Sequence, residues 1–533
     1  MNTLLKMCSI GALGILLPLS NTTAQTSFQL TFGGSDDEEV DALANTSDGG
    51  LIVAGHTKSF GAGLDDMHII KFDIDGNVEW DNVIGENIAE FSSEIIQTMD
   101  GGYAIIGTTY SFNTQPQGNA YFVKTDAVGD VEFSRSMGPN GAEHGYSMKQ
   151  TMDGGYIIGG LQNSYGAGGY DFYVVKIDST GAAEWGNIIG DVGNDECYSI
   201  HEMADGSYRM IGTYAVSGSG ERIAMMKLSS AGAHVWTKTI YENNVNLDIM
   251  HGIQTSDGNF VFTGFRGSSM DLKLYIGKID TAGNSMWNKA YGGSGSEFGY
   301  GVAEAANGDI LACGYTDSYG AGAKDALVVR TDANGNTQWV KTYGYAGDDV
   351  AKAVIENSQG GVTIGGYETT NGAGGKDMWL LKTAANGYMV CDTVGLGSVV
   401  GVPSGIVDTI PVVGGSTETP QEQQLWIVMP ITSLETSGGV ANVLCSDSLN
   451  SIVEFGGFNA EVYPNPFNEE INITLEDFDQ YEVEIYSITG AILKRELFNG
   501  MNANIQLSDL PYGTYIINIR NKTGVEVRKK IIK

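Results

Sequence analysis

One unit is written seven times along this chain of 533 residues. A turn signal recurs as Asp48-Gly49-Gly50, Asp100-Gly101-Gly102, Asp153-Gly154-Gly155, Asp205-Gly206, Asp257-Gly258, Asn307-Gly308 and Gln359-Gly360-Gly361, at spacings of 52, 53, 52, 52, 50 and 52 residues. Seven positions after the start of each signal stands a glycine: Gly55, Gly107, Gly160, Gly212, Gly264, Gly314 and Gly366. A basic residue ends a later apolar run in every copy: Lys71, Lys124, Lys176, Lys227, Lys278, Arg330 and Lys382. Nine residues beyond it comes an aromatic in six copies: Trp80, Phe133, Trp185, Trp236, Trp287 and Trp339.

Each copy holds four short β-rich runs, which in the second are Glu94–Met99, Tyr103–Thr108, Ala120–Thr125 and Val131–Ser136. Turns of the Asp-Gly-Gly type join the first two as a tight hairpin. Turns such as Asp73-Ile-Asp-Gly76 join the last two. A tandem four-stranded antiparallel unit of about 50 residues is a β-propeller blade. The expected fold is therefore all-β, a seven-bladed β-propeller over residues 25–389. Abundant glycine, 75 residues against 10 prolines, suits many short strands joined by tight turns.

The seventh copy has Cys391 where its aromatic belongs. The segment Phe28-Gln-Leu-Thr-Phe-Gly33 aligns instead with Trp339-Val-Lys-Thr-Tyr-Gly344, the last run of the sixth copy, so that Phe28 takes the aromatic position. An N-terminal strand then completes the last blade and removes two exposed strand edges. Met389–Gly395 is the competing candidate for that strand.

Residues 1–24 read as a signal peptide: Lys6, an apolar stretch from about Ile10 to Leu19, then small residues with cleavage after Ala24. No later segment is long and apolar enough for a transmembrane helix. The formal charge of −35 argues against nucleic acid and anionic membrane as partners. Cys313 lies in an apolar run and is expected to be a buried thiol, whereas Cys391 and Cys445 have the option of pairing in an oxidising compartment. Residues 390–458 lose the repeat and read as a linker with one strand cluster around Leu425–Ile431.

From residue 459 a small β-sandwich is expected, with runs Glu470–Leu475, Glu482–Ser487 and Ala491–Leu497. Its opening Tyr463-Pro464-Asn465-Pro466, the turn at Gly490, the strand containing Gly513 and Tyr515, and the terminal Lys-Ile-Ile-Lys533 resemble the type A C-terminal sorting domain of type IX secretion. The resemblance implies passage across the outer membrane by the type IX machinery. It also implies removal of residues 459–533 by a sortase-like peptidase, with the passenger released or held at the cell surface.

The repeat itself resembles secreted propeller repeats of bacterial surface proteins that read D-G-G-Y-x-x-x-G followed by D-x-x-G-x-x-x-W, which implies architecture and no activity. Quinoprotein repeats have a turn one residue longer than Asp178-Ser-Thr-Gly181, the sialidase Asp-box spacing is missed, and only some copies share the double glycine of kelch repeats. No catalytic residue and no cofactor carry over from these families.

An acid recurs ten residues after the aromatic position: Glu38, Glu90, Glu143, Asp195, Glu297 and Asp349, with Asp248 offered by the slipped fifth copy. These acids mark the channel mouth. They read either as a cation site, for Ca2+ or a polyamine, or as turn acceptors for backbone N–H groups. Loop aromatics Phe60, Tyr165 and Tyr319 read either as a stacking platform for sugar or protein or as packing against the adjacent blade. The Lys71-type residues are expected to form surface pairs with turn carboxylates. The six histidines lack metal spacing, and neither a G-x-S-x-G turn nor a paired-carboxylate signature is present. The expectation is a non-enzymatic binding or adhesion module with a glycan or protein ligand. A polysaccharide hydrolase or lyase and a structural surface-layer component are the alternatives.

Overall fold

The computed structural model describes residues 27–388 apart from 113–116, 139–140, 167, 217–219, 243–244, 269–270 and 373, backbone strands within 417–446, and 460–532 apart from several loops. Ala24, Cys391 and the alternative closing strand Met389–Gly395 lie outside the described residues.

Seven four-stranded antiparallel blades follow one another, and the first strands of consecutive blades pack side by side around a central channel. Those first strands are Glu38–Asn45, Glu90–Gln97, Glu143–Gln150, Asp195–Glu202, Asn246–Gln254, Glu297–Glu304 and Asp349–Glu356. In the second blade this strand begins four residues earlier than the hydrophobic run suggests, because its first half buries the polar side chains Glu90 and Ser92, which an apolar pattern does not mark. Blade 7 is Asp349–Glu356, Val362–Glu368, Asp377–Lys382 and then Phe28–Gly33, with Phe28 opposite Lys382 and Phe32 opposite Met378. The N-terminal strand therefore closes the ring.

Each recurring residue meets a local physical requirement. In the first hairpin Gly49 sits at φ 87°, and the Asp48 carboxylate accepts the Gly50 N–H at 2.9 Å and the Thr46 hydroxyl. The seventh-position glycine faces a bulge in the first strand. A Cβ on Gly107 would sit 1.9 Å from the Phe91 carbonyl oxygen. The aromatic lies on the Asp-x-x-Gly turn of the next blade: a Cβ on Gly129 would come within 2.7 Å of Trp80, one on Gly181 within 2.6 Å of Phe133, and one on Gly76 within 2.6 Å of Phe28. Phe28 thus does for blade 7 what Trp80 does for blade 1.

The Lys71-type residues differ from the surface pairs expected. Lys71, Lys124, Lys176 and Lys278 are 2–3% exposed, and only their ammonium tips reach turn carboxylates that remain half in water. Lys176 Nζ lies 3.0 Å from Asp153 and 3.1 Å from Glu184. The apolar run around each lysine carries its stem inward, which sequence spacing did not reveal. Because Asp153 and Glu184 are 57% and 43% exposed, both rehydrate when the cation is removed. Lys176→Met is expected to cost about 1–2 kcal/mol, below the cost of breaking a fully buried pair, read as a lowered urea midpoint. A loss above about 4 kcal/mol would refute this view of the pair.

Short backbone strands Thr417–Glu418, Gln421–Gln424, Val428–Ile431, Leu434–Thr436 and Val440–Ser446 add antiparallel to the fourth strands of blades 4, 3, 2, 1 and 7. The linker thus contributes five edge strands where one cluster was expected, and each covers an otherwise open ladder. At the C-terminus, the runs expected to be separate merge into long strands Glu470–Ser487 and Ile492–Gln506, joined by Ala460–Tyr463, Thr514–Asn521 and Glu526–Ile532. Their register breaks between Thr474 and Asp479, and Ile471, Ile473 and Leu475 from one half share a core with Val483, Ile485 and Ile517 from the other.

Candidate functional site

The bulge in each first strand turns one extra side chain toward the central channel. At that single register stand Asp41, Ser93, Tyr146, Tyr198, Met250, Tyr300 and Lys352, seven places and little repetition. They help to line a cavity of about 800 Å³, which also takes in Glu94, Lys149, His201 and His251. A sevenfold scaffold here carries an unsymmetrical lining.

Two polar groups stand in it on adjoining stretches of wall, and the Ser92 hydroxyl, on the strand of Glu94, donates to Asp41 at 3.1 Å. In one group Lys149 pairs with Glu94, which also accepts the Met148 N–H at 2.6 Å. Burial alone would raise the Glu94 carboxyl, but the Lys149 charge and His251 hold it below its ordinary value. His251 Nδ1 accepts the Val302 N–H at 3.1 Å, and burial lowers its pKa, so the neutral ring keeps Nε2–H as a donor. The Ser199 hydroxyl donates to Gly252 O at 2.8 Å and lies 2.8 Å from His201 Nε2. In the other Lys352 Nζ lies 2.8 Å from Glu39 and 3.7 Å from Asp41, and Asp41 is 2.9 Å from His56 Nδ1. Burial opposes the Lys352 charge, yet the two carboxylates outweigh it and raise its pKa.

Aromatic rings continue the wall. Tyr146 and Tyr198 stack at 4.8 Å and 5°, and the Tyr198 hydroxyl donates to Glu196. Tyr300 in the lining has Phe298 4.9 Å away, and Phe298 in turn lies 6.0 Å from Tyr315, though neither of these two lines the cavity. Flat apolar faces beside convergent donors and acceptors make a wall suited to a ring-shaped polar ligand.

The acids read from the repeat lie elsewhere. Glu38, Glu90, Glu143, Asp195, Glu297 and Asp349 are fully buried where each blade meets its neighbour, and none lines the cavity. Glu38 accepts the Gly34 N–H at 2.8 Å, Glu90 that of Glu86 at 2.8 Å, Asp195 that of Asp191 at 2.8 Å, Glu297 that of Gly293 at 3.0 Å, and Asp349 that of Tyr345 at 2.7 Å. Glu143 accepts the Ser164 hydroxyl. Asp248 sits one register place later than the rest, opposite Phe265, with Leu247 holding the acid's position. Burial pushes Glu143, Asp195, Asp248 and Asp349 each up to about 7. Among the described residues, no group of three or more His, Cys, Asp or Glu side chains converges as metal ligands.

Of the loop aromatics, Tyr165 is 49% exposed, Phe60 is half-buried 6.3 Å from the His68 ring, and Tyr319 is half-buried where a Cβ on Gly293 would meet it at 2.8 Å. Cys313 is a buried free thiol. In the C-terminal domain Tyr463 is exposed and Tyr515 buried, while Pro464, Asn465, Pro466, Gly490, Gly513 and Lys533 lie outside the described residues.

The channel lining escaped the sequence reading because its register place holds no constant residue type: tyrosine stands there three times, at Tyr146, Tyr198 and Tyr300, and the other four places all differ. A place so mixed leaves little periodic trace. The available signal was the deviation itself, at the position three after each acid.

Residues 461–533 match the family of secretion system C-terminal sorting domains. No curated protein matches the chain. Among solved structures, a puromycin hydrolase mutant complexed with PGG is similar at 11% identity and a TM-score of 0.40, over 70% of this chain and 53% of that one. The chain thus spans about half the length of that hydrolase. PorZ, an essential bacterial surface component of the type-IX secretion system of Porphyromonas gingivalis, is similar at 10% identity and a TM-score of 0.25, over 92% and 81% of the two chains. A protein of unknown function from Bacteroides thetaiotaomicron is similar at 12% identity and a TM-score of 0.31, over 66% and 99%.

Proposed function

This chain carries a type IX secretion C-terminal sorting domain behind a seven-bladed propeller, and we propose that it is a binding module delivered to the cell surface or beyond. The ligand enters the central channel. The signal peptide leaves after Ala24, and the sorting domain from about residue 459 engages the secretion machinery and is then cut away. Among the described residues no helix is long and apolar enough to cross a membrane.

The observation that carries this reading is the unsymmetrical lining of the 800 Å³ cavity. A channel that served only to fill the propeller's centre has no need of acid, base and imidazole side chains gathered beside stacked tyrosines. Tyr146 and Tyr198 offer stacked faces to a sugar ring, while Glu94, Lys149 and His251 Nε2–H supply an acceptor and two donors beside them. A carbohydrate uses both kinds of contact, so the ligand class proposed is a glycan. The loop aromatics Phe60, Tyr165 and Tyr319 extend the recognition surface on the rim.

A glycan and polysaccharide array with the mature secreted chain tests this directly. Reproducible binding to one glycan class is expected, with Tyr146→Ala weakening it about tenfold, or roughly 1.4 kcal/mol, and Glu94→Gln at least as much. No signal on any glycan, or binding indifferent to both substitutions, would remove the channel from consideration. Cleavage or depletion of a glycan would move the assignment to a hydrolase or lyase.

A further inference from the structure

The third strand of each blade begins at the junction with the next blade. A residue at or near its start stands beside the acid position of the next first strand. A conserved geometry fixes the alignment: Glu90 N–H donates to Asp65 O at 2.8 Å, Glu143 to Gly118 O at 2.7 Å, Asp195 to Tyr170 O at 2.7 Å, and Asp349 to Lys324 O at 2.8 Å. At four of the seven junctions the two residues brought together are both acids: Asp66 with Glu90, Asp171 with Asp195, Asp325 with Asp349, and Asp377 with Glu38.

All eight of these side chains are 2% exposed or less. Each pair converges over one glycine. A Cβ on Gly85 would sit 1.8 Å from Asp66 Oδ1 and 2.8 Å from Glu90 Oε2; one on Gly33 would sit 2.4 Å from Asp377 Oδ1 and 2.5 Å from Glu38 Oε2. Gly190 and Gly344 report the same for their pairs, at 2.1 and 2.8 Å and at 2.5 and 2.8 Å. The facing oxygens therefore lie within the ~4–6 Å over which neighbouring charges act strongly on each other. Backbone N–H groups satisfy part of each pair, as Gly63 does for Asp66 Oδ2 at 2.9 Å. Asp66 Oδ1, the oxygen that faces Glu90 over Gly85, is buried and accepts no hydrogen bond, whereas over Gly344 the facing oxygens Asp325 Oδ1 and Asp349 Oδ2 accept the Ala321 and Tyr345 N–H groups at 3.1 and 2.7 Å. An unpaired buried carboxylate oxygen is costly.

The other junctions show what the position demands. In blade 5 the place of Asp66 is taken by Lys273, whose Nζ lies 3.5 Å from Glu297. In blade 4 it is taken by Arg222, which faces Leu247 and turns its guanidinium onto Tyr241 at 4.4 Å. In blade 2 it is Asn119, which donates to Ser136 at 2.9 Å. Where the chain supplies its own cation, the facing acid is neutralised by it. The four acid pairs place a second carboxyl group where that ammonium stands.

Those four blades also share a loop the others lack. It reads Gly-Ala-Gly at residues 61–63, 166–168, 320–322 and 372–374, and the aspartate follows three residues later. Gly61, Gly166 and Gly320 have φ of 103°, 114° and 117°, and a Cβ there would lie within 2.2, 1.8 and 2.0 Å of their own aspartate's carboxylate group. The loop is folded around the carboxylate. Its second glycine packs on carbonyl oxygens of the next blade, with a Cβ on Gly63 2.4 Å from Glu86 O and one on Gly322 2.0 Å from Gly347 O. Blades 2, 4 and 5 fold without this cassette, so the blade itself does not require it.

The geometry points to four divalent-cation sites, of the Ca2+ class, one at each acid-paired junction of the propeller. Two carboxylates supply the oxygen donors that a hard cation prefers, with water completing the shell. A proton shared by the pair would leave one buried charge per junction, whereas a divalent ion neutralises both. The ion would clamp adjacent blades in the compartment to which the chain is exported. The inference is independent of what enters the channel.

Equilibrium dialysis of the full chain against Ca2+, after removal of bound ions with chelator, tests it at 150 mM NaCl. Four sites with Kd of about 10⁻⁴–10⁻³ M are expected, in the range of extracellular calcium modules. D66N, D171N, D325N and D377N should each remove one site, since asparagine is the residue this protein itself uses in blade 2. Calcium should raise the Tm of the full chain and leave that of the quadruple variant unmoved. If the quadruple variant does not fold, a stoichiometry of three in each single variant decides the matter. Uptake no greater in the full chain than in the variants overturns the proposal, and so does a chain that binds no calcium but releases protons on raising the pH from 5 to 8.

Discussion

Removing residues 25–33 is expected to abolish the cooperative unfolding transition of the propeller. The closing strand brings Phe28, Leu30 and Phe32 into a core with Val40, Val53, Ile70 and Leu380, and all three are 3–4% exposed. Each buried side chain of this size contributes about 1.5–3 kcal/mol, so the loss of three approaches the net stability of a typical domain. The deletion also leaves Asp377–Lys382 as an open edge and uncovers the Gly76 turn against which Phe28 packs. Far-UV circular dichroism and size-exclusion chromatography of the truncated chain should show aggregation or a broad transition. Phe28→Ala alone should cost about 3–5 kcal/mol and keep the ring closed. A truncated chain that melts within a few degrees of the intact one would mean that another segment closes the blade.

The repeat was legible because each of its marks answers a backbone requirement that does not depend on the rest of the molecule. Asp48 and Gly49 make a hairpin turn, Gly107 clears a bulge, and Trp80 covers a turn one blade away. Such needs recur at every copy, so they recur in the sequence. The burial of Lys176 was not legible, since spacing shows the residue and not the depth of its stem. The junction acids were half visible: Glu90 repeats at a fixed distance, but its partner Asp66 lies upstream in the preceding blade, and only the packing of the two blades, or for Asp377 and Glu38 the closed ring, brings the acids together. The channel lining was invisible for the opposite reason. Tyr146, Lys352 and Met250 occupy one register place and share no chemistry. Function in a propeller is therefore to be sought where the repeat breaks, and the repeat's most regular acids need a structure before their role can be read.

Gly314→Ala is expected to be among the most damaging single-methyl changes in the chain. A Cβ there would lie 1.6 Å from the Phe298 carbonyl oxygen and 2.7 Å from its carbon. Both atoms are backbone, in a strand held on one side by the Gly299–Gly314 pairing and on the other by the neighbouring first strands, so neither has room to move. Overpacking against such a wall costs about 3 kcal/mol or more, and here it also displaces the bulge that aims Tyr300 into the channel. Gly360→Ala is the control. Its φ is +79° and nothing stands within 4 Å of the added methyl, so the cost is only the left-handed backbone penalty of about 1–2 kcal/mol. Urea unfolding of the two variants should rank them in that order, and Gly360→Asn should recover part of the control's loss because asparagine tolerates that backbone region. Equal losses at the two sites would mean that the bulge, and with it the shaped channel wall, yields to a methyl group.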